Sequence, residues 1–569
     1  MGTIKFSDYI VETLIAKGIT DVFGYPGGMV THLMDSFDKY SGKIKAHINY
    51  NEQGSAFCAC AYASVSGLPG FAYATSGPGV TNLLTGIANA YFDSVPVVFV
   101  SGQVNSFEQK GALRVRQRGF QEMNAAAIAQ SVTKYSAAVN SPGEAAAELH
   151  KAFDIAVSGR PGPVLLDIAM DVSRAQIENT APPAAAAPRY DNQKAADAVI
   201  SALSQAKRPL VIAGAGVRTA GAAAAFWEFV EKNSLPVVTS MISVDLLPSD
   251  SPLNFGFIGA YGHRSANILT EKADVVLALG TRLDLRQTGA NRGAFAPKSR
   301  LVRVDIDEGE LAFQVKPDEE GFAADLKELL PLLNAVKPAE ARYEWLEAAC
   351  AIRSKLRNAD NQPANDIMRA LSARIPDGRV ITTDVGQNQV WAAQSFQVKP
   401  SQRVLFTGGH GAMGYSLPAA IGSYYASRKP VYCVSGDGGL MMNIQELQFI
   451  KREKLPVKIL LFNNRSLGMI RHFQEMYFHS NYAQTLEEKG YSAPDFERLA
   501  GAFGLRYYKT NAAGETAGLE EALGDDDAAF IEIALSDKTY VSPKLAFNKP
   551  LYDQEPPLDP ETLDEIMRL

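Results

Sequence analysis

The 569-residue chain is poor in cysteine, with four in all. Cys58, Cys60, Cys350 and Cys433 form no CxxC pair. That argues against a disulfide framework and for a reducing compartment; all four read as small buried residues. An excess of positive charge is also missing. Lys and Arg total 55 against 62 Asp and Glu, a net charge of -7, so nothing points to nucleic acid or an anionic membrane as partner. No apolar run approaches the roughly 20 residues that span a bilayer. The opening MGTIKFSDYI lacks a basic stretch followed by an apolar one, and Phe6 stands where a myristoylation signal needs Ser or Thr. A cytoplasmic protein is the expectation.

What is present is an ordinary globular composition, 46% hydrophobic and 21% charged, in a length that suggests about three domains. Residues 180–193, rich in Ala and Pro, and residues 334–343 read as linkers. They divide the chain into 1–180, 190–335 and 345–569. Each piece alternates β-branched runs with helical stretches, the pattern of α/β domains with a central parallel sheet. Residues 208–216, 273–280, 299–307, 431–438 and 457–464 read as buried strands. The first and last pieces echo one another. Ser76-Gly77-Pro78-Gly79 precedes a helical stretch and then Val95-Pro96-Val97; Ser435-Gly436-Asp437-Gly438 precedes another and then Leu455-Pro456-Val457.

Gly436-Asp437-Gly438 follows one strand, and Asn463-Asn464 ends the next. In a parallel sheet both would meet beyond the carboxyl ends of the strands, where ligands gather. Glycines admit a phosphate to the backbone, and a helix N-terminus favours its charge. Asp437 and Asn464 offer oxygens to a hard cation such as Mg2+, which usually takes others from phosphate. A Gly-Asp-Gly alone is a weak signal, often a mere tight turn. Joined to Asn464 across a helix and a strand it is a strong one.

Residues 436–464 resemble the diphosphate-binding motif of thiamine-diphosphate enzymes. The resemblance implies that Asp437 and Asn464 hold Mg2+ through their side chains and Ser466 through its carbonyl. It also implies a pyrimidine-binding first domain, a Rossmann-type central domain and a diphosphate-binding last domain, as in pyruvate-decarboxylase-like enzymes. Glu52, in Asn51-Glu52-Gln53-Gly54, opens a helix. Alone it would read as a surface residue favoured by the helix dipole. The segment is similar to the family's catalytic one, whose carboxylate tunes the aminopyrimidine ring so that the cofactor can act as its own base. In the family this Glu serves the cofactor of a partner subunit, which implies a homodimer or homotetramer with interfacial sites. Pro26, Thr75, Asn82, Gly386, Gln387, Asn388, Gly411, Met413, Leu467, Gly468 and Met469 match the remaining cofactor contacts, with Met413 as an apolar wedge.

Along nearly its whole length the chain is most similar to catalytic subunits of the acetolactate synthase family. Residues 22–28, 75–98, 159–168 and 386–394 carry that likeness. It implies decarboxylation of pyruvate and transfer of the two-carbon unit to a carbonyl acceptor, a second 2-oxo acid. The middle piece is similar to the family's flavin domain. Arg160, Gly214, Gly216, Arg282, Asp284, Arg286, Asp305 and Asp307 match its FAD contacts, although Thr219 replaces the third glycine of a dinucleotide motif. The FAD would be structural, since carboligation involves no net redox change. Phe120, Gln121, Arg286 and Phe473 match residues that face substrate, with Gln121 counted as catalytic. Phe473 replaces a Trp, Leu285 an Asp and His410 an apolar residue. Arg114, Arg116 and Arg118 form an unusual basic run, and residues 543–559 differ from the typical tail. These departures resemble flavoproteins of sugar gene clusters, which transfer the same unit to a ketone on a nucleotide-linked sugar.

Overall fold

In a computed structural model the chain is described for residues 2–179, 188–337, 342–511 and 518–569. Parts of both linker segments, 180–187 and 338–341, lie outside the described residues. Among those described, no helix is long and apolar enough to cross a membrane.

Three six-stranded sheets, each parallel throughout, organise the chain. The first holds Asp21–Gly24, Lys45–Ile48, Gly70–Ala74, Val97–Gln103, Tyr135–Val139 and Val164–Ala169. Numbered in chain order, these strands lie side by side as 2-1-3-4-6-5. The last sheet holds Val380–Thr383, Arg403–Leu405, Val431–Gly436, Val457–Asn463, Arg506–Thr510 and Ala529–Ala534 in the same order. The sequence echo is thus a repeat of topology. The middle sheet holds Pro209–Ala213, Val237–Thr239, Asn254–Phe257, Val275–Leu279, Arg300–Asp305 and Glu320–Ala323 in the order 3-2-1-4-5-6, that of dinucleotide-binding folds. The five apolar runs expected to be strands all form central, buried ones.

Alternate residues of a strand face opposite sides, and a parallel sheet must be covered on both. In the middle sheet Val211, Ala213, Leu277 and Leu279 pack under Asn192–Gln205, Ala223–Lys232 and Leu326–Ala335. Leu210, Ile212, Val276 and Ala278 face the other way, against Trp345, Ala349 and Ile352 of helix Tyr343–Leu356 and Ile566 of the final helix Pro560–Arg568. Both of those helices come from the 345–569 stretch or its edge, yet they cover the middle sheet. Composition does not reveal which sheet a helix will cover.

The outer two sheets share one continuous core. Helix Glu52–Ser66 lies against helix Ser416–Ser427, and a Cβ on Gly422 would run into the carbonyl of Cys58. Only glycine permits that approach. Cys58, Cys60 and Cys433 are buried as expected; Cys350 is only half-buried, because it sits on a helix flank.

Candidate active site

Each outer sheet presents its chemistry at the carboxyl end of the strands, around the point where strand order reverses between strands 1 and 3. In the first sheet, Pro26 and Gly27 follow strand 1 and Thr75 follows strand 3. Gly27 packs so tightly on the Thr75 side chain that a Cβ would overlap it. Glu52 opens helix Glu52–Ser66 after Asn51, whose side chain caps it by accepting from Gln53 N–H at 2.8 Å. The Glu52 side chain folds inward, leaving the residue 8% exposed. Its Oε2 accepts from Asn82 Nδ2 at 3.0 Å. Its Oε1 would lie 3.3 Å from a Cβ on Gly79. The burial overturns the surface reading that a helix-start glutamate invites. Gln121 adjoins Gly77, and both take positive φ, 62° and 64°. For a non-glycine residue that is an uncommon conformation of the kind found at functional sites. Phe120 beside it is 78% exposed.

In the last sheet, Gly386, Gln387 and Asn388 follow strand 1, Asp437 follows strand 3 and Asn464 follows strand 4. Asn464 Nδ2 donates to Gln387 Oε1 at 2.8 Å, and Ser466 N–H donates to Asp437 Oδ2 at 3.1 Å. Gly468 opens the helix Gly468–Tyr477, and a Cβ there would run into Gln387 Oε1. A Cβ on Gly438 would lie 2.8 Å from Leu467 Cδ2 and 3.4 Å from Met413 Cε. Most of the residues matched to cofactor contacts on this sheet therefore converge on one cradle, although a Cβ on Gly411 would meet nothing within 4 Å and Met469 packs against the apolar core beside the sheet.

Burial pushes the Asp437 carboxyl up to about 6, because a carboxylate taken from water wants a proton or a cation. Gln387 Nε2 and Asn388 Oδ1 are buried without a hydrogen-bond partner. Such orphans are costly unless a ligand satisfies them. Among the described residues no cluster of three or more His, Cys, Asp or Glu could hold a metal. A cation at Asp437, Asn464 and the Ser466 carbonyl would have to share phosphate oxygens, which suits Mg2+. The residues present thus fit a metal-bound diphosphate.

Several contributors escaped the sequence reading. Asp384 is fully buried. Its Oδ1 accepts from Gly414 N–H at 2.9 Å, and its Oδ2 accepts from Ser416 N–H at 3.0 Å and Ser416 Oγ at 2.9 Å. It ties the 411–414 loop to the 386–388 turn. Its place two residues before Gly386 was the available signal. Tyr491 stands beside Asp437. Asn443 Nδ2 donates to Gln53 Oε1 at 3.0 Å and to Gly414 O at 2.9 Å, linking the two edges. Glu446 accepts from Asn49 Nδ2 and Tyr50 N–H at 2.9 Å each, and burial pushes it up to about 7. Among the described residues no hydrogen bond joins Glu52 directly to Asp437, Asn464 or Ser466 of the same chain.

The middle sheet has a site of its own. A cavity of about 750 Å³ opens at its switch point, between Gly216 after strand 1 and Gly280 after strand 4. That volume lies within the usual range for ligand pockets, about 300–1,000 Å³. Arg160, Gly216, Arg282, Asp284, Arg286 and Asp305 line it; Gly214 and Asp307 do not. Gly214 is packed on the Gly280 carbonyl and Thr281. Asp307 instead pairs with Arg160 Nη1 at 3.0 Å, which also meets Glu310 at 2.6 Å. Burial raises the Asp305 carboxyl. Arg114, Arg116 and Arg118 are all exposed, and Arg118 Nη1 donates to Phe107 O at 3.0 Å and Gln109 O at 3.2 Å. Phe473 lies 4.8 Å from Tyr477, ring centre to ring centre.

Comparison with known proteins agrees with this geometry. Residues 4–128 match the thiamine pyrophosphate enzyme N-terminal TPP binding domain, 196–333 the central domain and 384–533 the C-terminal TPP binding domain. The chain is 34% identical over 549 residues to acetolactate synthase isozyme 2 large subunit of Escherichia coli K12, covering 94% of this chain and 96% of that protein. It is 35% identical to the isozyme 1 large subunit of the same organism over 94% and 95%. To the acetolactate synthase large subunit of Lactococcus lactis it is 33% identical over 95% and 94%.

Proposed function

This chain belongs to the thiamine pyrophosphate (thiamine diphosphate) enzyme family, and from that premise we propose that it is a carboligase that joins pyruvate to a second 2-oxo acid. The observation that carries the reading is the pairing of two edges. One holds Glu52, buried and fixed by Asn82. The other holds the buried Asp437 beside Asn464 and unpaired amide groups.

Bound thiamine diphosphate with Mg2+ would supply the electron sink for decarboxylation. Asp437, Asn464 and the Ser466 carbonyl are the residues for the cation, and Gln387, Asn388 and Gly438 the neighbours of the diphosphate. Glu52 offers a carboxylate for the pyrimidine ring, and Asn82 keeps it oriented. Met413, reaching over Gly438, fills the apolar step between them. In the overall reaction the C1–C2 bond of pyruvate breaks and CO2 leaves. C2 bonds to the acceptor carbonyl carbon, and a solvent proton ends on the new hydroxyl. Gln121 and Arg286 orient the acceptor, the latter with a planar fork suited to a carboxylate. FAD would take the cavity of about 750 Å³ in a structural role, with Asp305 for ribose hydroxyls.

A second copy completes the site in this reading. The exposed Tyr50, Tyr91, Met441 and Met442 near the two edges support it. A ketone acceptor on a nucleotide-linked sugar is the second reading, favoured by the exposed Arg114 and Arg116. Incubation of the holoenzyme with pyruvate, alone and with 2-oxobutyrate or cyclic ketones, tests both. Acetolactate or its ethyl homologue as main product supports the first. Tertiary alcohols formed only from added ketones sink it.

A further inference from the structure

Lys544 is a buried cation without a counter-charge. The residue is 7% exposed, and among the described residues its ammonium makes no hydrogen bond or ion pair. Its ammonium lies over the Phe473 ring, 5.6 Å from Nζ to centroid, and within electrostatic reach of the His472 imidazole. Desolvation holds its pKa below the usual lysine value. A buried, unpaired ammonium is costly, and a cation–π contact offsets only part of that.

Its position explains what it is for. Lys544–Leu545 pairs antiparallel with Gln554–Glu555 in a small hairpin of the C-terminal segment. Leu545 N–H donates to Ala260 O at 2.7 Å, and Ala260 N–H donates to Arg286 O at 2.8 Å. Two backbone hydrogen bonds therefore set the Lys544 strand beside the turn that carries Arg286. Arg286 is an exposed residue and also has no ion pair among the described residues. Tyr261 lies within electrostatic reach of both Arg286 and Tyr477. Tyr477 packs on Phe473 at 4.8 Å and on Phe547 at 5.0 Å. Two cations with no ion pair among the described residues thus lie on neighbouring segments, beside one aromatic cluster.

We propose that this rim binds an acceptor with two anionic ends: a 2-oxo acid whose side chain terminates in a second carboxylate, met by Lys544, while Arg286 takes the first. The proposal rests on the carboligase reading and names its acceptor class. The apolar middle of such an acid crosses the Phe473 ring, where it replaces water. The bonds made and broken are those already given for the reaction, and the second carboxylate takes no part in them.

The test offers the holoenzyme pyruvate with equimolar 2-oxobutyrate and one of oxaloacetate, 2-oxoglutarate or 2-oxoadipate, and measures product ratios and acceptor KM. At least one dicarboxylic acceptor is expected to outcompete 2-oxobutyrate. Lys544→Met, which keeps an apolar stem over Phe473, should shift kcat/KM at least tenfold away from that acceptor relative to 2-oxobutyrate, mainly through KM. Lys544→Arg should restore most of the ratio. A wild type that rejects all three diacids, or a Lys544→Met ratio within twofold of wild type, overturns the proposal and leaves the carboligase reading intact. No consumption of pyruvate with any acceptor overturns the carboligase reading itself, and the acceptor assignment with it.

Discussion

The first and last sheets share a strand order and place their functional groups beyond the same strand ends, but they differ in the kind of group. The first edge carries a glutamate held by one amide, among a threonine, a proline and glycines. The last edge carries an aspartate among amides, backbone N–H groups and close-packed glycines such as Gly438 and Gly468. In the proposed reading the first would tune a ring, and the other would hold a charged diphosphate and its cation. Duplicated architecture has diverged through a handful of side chains, so chemistry is read from the site and not from the fold.

The comparison breaks most decisively at Glu52. Glu52→Gln keeps the shape and the Asn82 contact but loses the carboxylate. Pyruvate consumption should fall by about 10²–10⁴-fold while cofactor affinity changes little. Unchanged turnover would falsify the assignment of the first edge. Asp437→Asn attacks the other edge, with the opposite split. Mg2+ affinity, read by titration of the apo-enzyme, should drop by at least the ~10–100-fold that even an outer-shell partner carries, and turnover should return in part at high Mg2+.

A pH series sharpens the contrast. Burial pushes the folded Asp437 carboxyl up to about 6, above the ordinary aspartate value of about 3.9, so the folded protein favours its protonated form. In the apo-protein that preference costs stability as pH rises from about 4 to 6, and the cost is complete above 6. Mg2+ must displace the proton, so its affinity should be flat above pH 6 and fall about tenfold per unit below it. Asp437→Asn should abolish that slope; a slope that survives the change belongs to another group. The smallest effect concerns the joint between the sheets. Gly422→Ala pushes a methyl against the Cys58 carbonyl and should cost about 1–3 kcal/mol, seen as a lower midpoint in denaturant.

Much of this was legible in the chain. Parallel α/β architecture followed from buried apolar runs such as 457–464, because a strand covered on both faces has no polar side to show. The Asp437–Asn464 pair followed from spacing, because a strand–helix–strand unit of near-constant length brings its two strand ends together. Glu52 was legible only through resemblance, since nothing local distinguishes a buried helix-start glutamate from an exposed one. Asp384, Asn443 and Tyr491 were missed because their partners lie far along the chain. Arg160 and Asp307, each matched separately to a flavin, turned out to meet one another.

The sequence by itself determined the parallel sheets, the repeat of the first in the last, and the Asp437–Asn464 edge, because each depends on near-neighbour patterns and fixed spacings. Only the tertiary structure decided that helix Tyr343–Leu356 and the C-terminal helix cover the middle sheet, that Glu52 turns inward to Asn82, and that Lys544 is buried beside the Arg286 turn. Those outcomes depend on which surfaces remain uncovered once the sheets have formed, and burial of that kind is a property of the assembled chain.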